Sequence, residues 1–210
     1  MNILIIGSTG GTGKQLVIQA LDRDHNVTAF ARKPSKINIK HDRLKVIKGN
    51  VLNVDSLRNA MAEQDIVICA LGHKKWLYPT KILSEGTRNI IATMREYGVK
   101  RLICETSLGL GETTGKMGIY YTFFVIPFIL PFYFWDKRKQ EKIIQSSELD
   151  WTIIRPGALN NRRARGSYRE GFKIGNWFYT VRISRADVAD FMLNQIDDNK
   201  YIHSKPGVSW

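Results

Sequence analysis

The chain has 210 residues, 43% of them hydrophobic, 24% charged and 10% aromatic, with 17 glycines, 6 prolines and 2 cysteines. That balance excludes a disordered, collagenous or low-complexity chain and describes one globular domain that buries a core without staples. An excess of 32 basic over 19 acidic residues gives a net charge of +13, which favours an anionic partner. The basic clusters ARKPSK, DKRKQEK and NRRARGSYR have neither zinc-finger spacing nor an RNP-type aromatic motif, so neither nucleic acid nor a metal is expected.

Residues 2–6, NILII, are a short apolar run that ends at once in glycines, as a buried parallel strand does. The run is too short for a signal peptide and no basic segment precedes it; with Cys69 and Cys104 both inside apolar runs, two reduced core thiols in a cytoplasmic protein are expected. KQLVIQALDRD then places Leu16, Val17, Ala20 and Leu21 at helical spacing. VTAFA (27–31) and LKVIK (44–48) read as strands, and VDSLRNAMAEQ as a helix that Asn53 or Asp55 could cap. DIVICAL (65–71) is a fourth strand, 80–98 an amphipathic helix stopped by Gly98, and KRLICETS a fifth strand. Alternating strands and helices at this spacing predict a Rossmann-type α/β fold: a doubly wound parallel sheet with helices on both faces, in a single domain over residues 1–210.

Residues 117–135 carry no charge over 19 positions. Pro127 and Pro131 and the position between a core strand and a core helix argue against a transmembrane span. An aromatic lid or wall over a ligand pocket, a dimer or partner surface, and a peripheral membrane patch remain open. KRKQEKIIQSSELD follows as a helix, WTIIR (151–155) as a sixth strand, and 157–171 as a Gly- and Arg-rich loop. NWFYTVRI reads as a seventh strand, SRADVADFMLNQI as a helix capped by Ser184, and YIHSKPGVSW as a tail.

Gly7-Ser8-Thr9-Gly10-Gly11-Thr12-Gly13 lies between the first strand and the first helix. Glycines there permit the tight turn and the close backbone approach that a pyrophosphate at a helix N-terminus needs. Gly7, Thr9, Gly10, Gly11, Thr12 and Gly13 are therefore candidate cofactor contacts. The GxxGxxG spacing points to a relative of the short-chain dehydrogenases. An NAD domain sets an acid at the end of its second strand; here the place reads Phe30-Ala31-Arg32-Lys33-Pro34-Ser35-Lys36, without one. A guanidinium there grips a 2′-phosphate, so NADPH (NADP+) is expected, held by Arg32, Lys33 and Ser35. Asn50 and Val51, Ala70, Leu71 and Gly72, Thr106, and Pro156 and Gly157 follow strand ends, where the rest of the dinucleotide would pass. His73 reads as a loop residue.

Ser107, Tyr133 and Lys137 are the candidate catalytic residues. A Tyr four positions before a Lys on one helical face lets the ammonium favour the phenolate and hold a ribose, while a Ser hydroxyl orients the substrate oxygen.

With these residues in place, the chain resembles the atypical short-chain dehydrogenase/reductase group that includes biliverdin-IXβ reductase, also described as an NADPH-dependent flavin reductase. GSTGGTG, ARKPSK, GNVLN, ALGH, LSEGTRNIIATMREYGVKRLI, CETS, ELDWTIIRPG and ISRADVADFML carry the likeness along nearly the whole chain. Asn50 stands where many members have an Asp. The resemblance implies NADPH at Gly7, Thr9, Gly10, Thr12, Gly13, Arg32 and Ser35, and hydride delivery to a planar acceptor, a flavin or a bilin. Arg162, Arg163 and Arg165, with Arg169, could attract a bilin's carboxylates. Carbonyl or quinone reduction through Ser107, Tyr133 and Lys137 is a second reading, and a non-catalytic NADPH-sensing or assembly protein a third.

Overall fold

The six apolar runs from NILII to WTIIR pair in parallel in the computed structural model, which describes residues 1–73 and 78–210. They form β1 (Asn2–Ile6), β2 (Asn26–Ala31), β3 (Leu44–Lys48), β4 (Ile66–Cys69), β5 (Arg101–Glu105) and β6 (Asp150–Pro156), in the order β3-β2-β1-β4-β5-β6. Reversal of direction between β1 and β4 creates the crevice in which such sheets bind ligands.

Alternation along each strand sorts the core into two layers. Ile3 and Ile5 point to the side covered by α1 (Gly11–Asp22) and α5 (Arg185–Asn194), where Leu16, Val17, Phe191 and Met192 meet them. Leu4 and Ile6 point to the side covered by α2 (Val54–Met61), α3 (Ile82–Glu96) and α4 (Pro131–Gln145), against Leu57, Ile90 and Met94. Asn53 caps α2 by accepting from the Ser56 amide at 2.9 Å, and Ser184 caps α5 by accepting from Asp187 at 3.0 Å. The cap of α3 comes from another helix: buried Asp136 of α4 accepts from the amides of Leu83 and Ser84. Cys69 and Cys104 face each other across β4 and β5, both buried and unbridged.

Three expectations are corrected. NWFYTVRI does not join the main sheet: the Asn176 side chain accepts from the Phe178 and Tyr179 amides and turns the chain, leaving only β9 (Arg182–Ser184) to pair with β7 (Ala158–Asn160) in a separate sheet. The main sheet is completed instead from the tail, where β10 (Gly207–Ser209) runs parallel to β6 and carries β8 (Arg169–Gly171) antiparallel at the edge. Finally, α4 starts at Pro131, well before Lys137, because proline suits the first position of a helix. Ahead of it, Tyr121–Ile129 is a π-helix around Pro127, and the Leu130 amide closes its last wide turn on the Val125 carbonyl at 3.0 Å. Among the described residues no helix is long and apolar enough to cross a membrane.

Candidate nucleotide-binding and catalytic site

At the end of β1 the backbone of Gly7 takes a φ of +83°, and a Cβ there would stand 2.4 Å from the Ala70 carbonyl oxygen. A Cβ on Gly13 would stand 2.1 Å from the oxygen of Gly7. These two positions let the loop fold tightly against the end of β4, with the Gly10 amide donating to the Gly7 carbonyl at 2.9 Å. No side chain caps α1 and no acid lies in its first turn, so its leading amides and the positive end of its dipole face outward. Such an uncapped glycine cradle fits a pyrophosphate. Thr9 is half-buried beside exposed Gly10 and Gly11, whereas Thr12 is buried and donates to Glu105 at 3.1 Å.

One residue here was not found by sequence reasoning. A Cβ on Gly11 would strike the Arg185 side chain, whose guanidinium donates to Asn161 at 2.8 Å. Arg185 thus lies over the loop from the start of α5. Its signal in the sequence was only the Arg that follows the capping Ser184.

Arg32, Lys33 and Ser35 are exposed just beyond the buried end of β2, and among the described residues neither cation is ion-paired. Asn50 is exposed, but its side chain is turned inward on its own loop, accepting from the Leu52 amide at 3.2 Å; Val51 is buried against Gly86. Ala70, Leu71 and Gly72 follow β4 beside the glycine loop.

The other half of the site forms where β4 and β5 end against α4. Tyr133 and Lys137 are one turn apart on α4, with the Lys137 Nζ 5.2 Å from the phenol ring centre. The Tyr133 hydroxyl lies 3.6 Å from where a Gly72 Cβ would be, and the His73 ring meets Tyr133 edge-on at 5.0 Å. His73 is therefore part of this cluster, hydrogen-bonded to Thr80 at 3.0 Å; Lys74 and Lys75 after it lie outside the described residues. Lys137 is buried and donates to the Glu105 carbonyl at 3.3 Å. Burial pulls its ammonium down, but Tyr133 and Glu105 more than restore it and hold its pKa above the usual lysine value. Burial pushes the Glu105 carboxyl up, against the pull of Lys137 and Thr12. Ser107 is half-buried just beyond β5. The Thr106 hydroxyl donates to Glu141 at 2.7 Å; buried Pro156 ends β6 and buried Gly157 follows it, tight against the Val181 backbone.

Arg162, Arg163 and Arg165 are exposed. Arg165 is engaged at the opposite side of α5: its amide donates to Asp187 and its guanidinium stacks 3.8 Å above the Trp210 ring. Among the described residues no cluster of His, Cys, Asp and Glu could hold a metal ion.

Residues 7–199 match the profile of a family described as NAD(P)H-binding. An uncharacterised chloroplastic protein of Arabidopsis thaliana is 28% identical over 76% of this chain and 59% of its own length. The chain spans 39% of pea TIC 62 and 44% of the Synechocystis photosystem II assembly factor Ycf39, so it corresponds to about half of these curated relatives. Among solved structures, ChuY from Escherichia coli O157:H7, described as an anaerobilin reductase, superposes with a TM-score of 0.81 at 21% identity, over 100% of this chain and 97% of its own. A short-chain dehydrogenase/reductase from Veillonella parvula, solved with NADP, superposes at 0.80 with 20% identity, over 100% and 94%. At these identities the two structures establish the shared fold.

Proposed function

We propose that this chain, which belongs to the NAD(P)H-binding family, is an NADPH-dependent reductase that passes hydride to a planar conjugated acceptor, a flavin or a linear tetrapyrrole. The carrying observation is the glycine cradle at an uncapped helix start, set beside a buried cation at the ends of β4 and β5. Gly7, Gly10, Gly11 and Gly13 would hold the pyrophosphate, Arg32, Lys33 and Ser35 the 2′-phosphate, and Lys137 the ribose nearer the reacting end. NADPH, when bound, supplies the hydride; the chain positions the acceptor and excludes water. Support for a carboxylate-bearing, bilin-like acceptor comes from Arg162 and Arg163, which stand exposed in the loop after β7.

Carbonyl or quinone reduction is a second reading, favoured by Tyr133 and Lys137 lying one helical turn apart. In it the Tyr133 hydroxyl would give its proton to the acceptor oxygen while Lys137 stays charged beneath it.

Following NADPH absorbance while FMN, biliverdin or a quinone is added tests both. Turnover of FMN or biliverdin that survives Tyr133→Phe fits the first reading. Loss of about 100-fold or more in that variant, confined to a quinone or carbonyl, fits the second. NADPH binding without oxidation by any acceptor would leave a non-catalytic sensor and overturn both. Separately, Arg32→Ala is expected to cut the preference for NADPH over NADH by about tenfold or more, the scale of one charge-assisted phosphate contact. An unchanged ratio of the two affinities would remove Arg32 from the site.

A further inference from the structure

We propose that the exposed aromatic face formed by residues 119–135 and 177–179 docks this protein on an anionic lipid bilayer, lying in the interface without crossing it. The π-helix sends Val125 into the protein and Ile126 against Gly109, and this turns Phe123, Phe124 and Phe128 outward, Phe128 with 73% of its surface exposed. The outer side of α4 continues the strip with Phe132 and Trp135.

A second strip, Trp177 to Tyr179, includes Phe178 at 80% exposure. The two strips are locked together. Met117 bridges to Asn176, whose amide donates to the Lys116 carbonyl at 2.9 Å. Gly115 and Gly118 lack the Cβ that would strike the Trp177 ring at 2.1 Å and the Tyr179 backbone at 2.6 Å. The face is therefore built into the fold, and a contiguous aromatic surface of this kind is rarely left to water.

Charge selects the occupant. Lys116, Lys173 and Arg182 flank the strips, and α4 adds Arg138, Lys139 and Lys142. The Lys139 ammonium sits 3.4 Å over the Trp135 ring. No exposed carboxylate lies in residues 113–142 or 171–182: Asp136 is buried capping α3 and Glu141 is buried against Arg155. Exposed Phe and Trp ringed by cations match the boundary between acyl chains and anionic headgroups. A second copy fits poorly, because a two-fold contact would bring this cationic rim against itself. Through α4 the face adjoins the candidate site, with Phe132 and Trp135 outside and Tyr133 and Lys137 toward β4 and β5.

The test is co-sedimentation of the purified full chain with vesicles of phosphatidylcholine alone or mixed in comparable amounts with phosphatidylglycerol. Partition is expected to be at least about tenfold higher on the mixed vesicles. Lipids brominated in their acyl chains should quench tryptophan fluorescence, and Trp135→Phe with Trp177→Phe should remove that quenching. Phe128→Ser with Phe178→Ser should lower partition about tenfold, leaving NADPH affinity and Tm unchanged. Equal partition into both vesicles overturns the proposal. So does anionic binding that the serine variant retains with no acyl-chain quenching, which is adsorption by net charge alone. A dimer in sedimentation velocity that the serine variant dissolves would assign the face to a second copy instead. Vesicle binding is measured without nucleotide or acceptor, so this proposal and the reductase reading stand or fall separately.

Discussion

Gly13→Ala is expected to weaken NADPH binding by at least about 100-fold, equivalent to about 2.7 kcal/mol. The new Cβ would lie 2.1 Å from the Gly7 carbonyl oxygen and 2.9 Å from the Ser8 Cα. Both obstacles are backbone, and neither can swing aside as a side chain would. Relief requires the loop to lift from α1, and the Gly7 turn is itself held against the Ala70 carbonyl. The amides that open α1 then lose their aim at a common point, so an anion loses several contacts together. Stability will fall as well, so a second glycine supplies the control. Gly98 has a φ of +72° with open space around its Cβ position, and Gly98→Ala should cost about 1 kcal/mol from backbone strain alone. It lies after α3, away from the loop. Fluorescence or calorimetric titration should show normal NADPH affinity in Gly98→Ala and none measurable in Gly13→Ala. Equal losses in the two variants would mean that the loop has no special role.

How much of this was legible beforehand depends on the range of the forces involved. NILII, VTAFA and WTIIR declare themselves because a strand buried on both faces needs a nearly continuous apolar run, and the caps at Asn53 and Ser184 because the hydrogen bond spans three residues. The glycine loop was legible for the same reason, since the backbone geometry it requires is local. Gly207–Ser209 is a different case. Three residues with one valine carry no periodicity, and they become a strand only because β6 offers a free edge. Asp136 was equally hidden: its role is to cap a helix through the amide of Leu83, 53 positions earlier in the chain. Arg185 reaches Gly11 across the crossing of α1 and α5, a contact that nothing in ISRADV announces. The start of α4 was misjudged because Pro131 was weighed as a breaker, when at the first helical position its missing amide costs nothing. With α4 starting at Pro131, Tyr133 and Lys137 lie one turn apart on a helix, the spacing from which their pairing was read.

Arg155→Met is expected to destabilise the protein by about 3–5 kcal/mol, the usual cost of stranding one member of a buried ion pair. Arg155, the next-to-last residue of β6, has 1% of its surface exposed and makes two hydrogen bonds to Glu141, at 2.9 and 2.6 Å. Glu141 is itself buried and accepts from Thr106, so removal of the guanidinium leaves a buried carboxylate with one neutral donor among the described residues. For a domain of this size the loss corresponds to about 10 °C or more in Tm. Arg155→Met with Glu141→Leu should recover most of it, because the desolvated charge is gone with its partner; a double variant no better than the single one would refute the ion-pair account. Glu112 joins the same cluster from the surface, 2.8 Å from Arg155 and 3.1 Å from Lys205. Partial burial pushes its carboxyl up, but its own backbone amide, Lys205 and Arg155 outweigh this and bring the pKa to about 2. A carboxylate depressed on folding adds stability at pH values above its unfolded pKa, and that stability drains away as pH falls toward the folded value. The Tm gap between wild type and Glu112→Gln should therefore be full above about pH 4.5, narrow below it, and close near pH 2. With more than half of the Glu112 side chain exposed, solvent screens the contact, so the gap should also shrink in high salt, whereas the deficit of Arg155→Met, arising in the interior, should not.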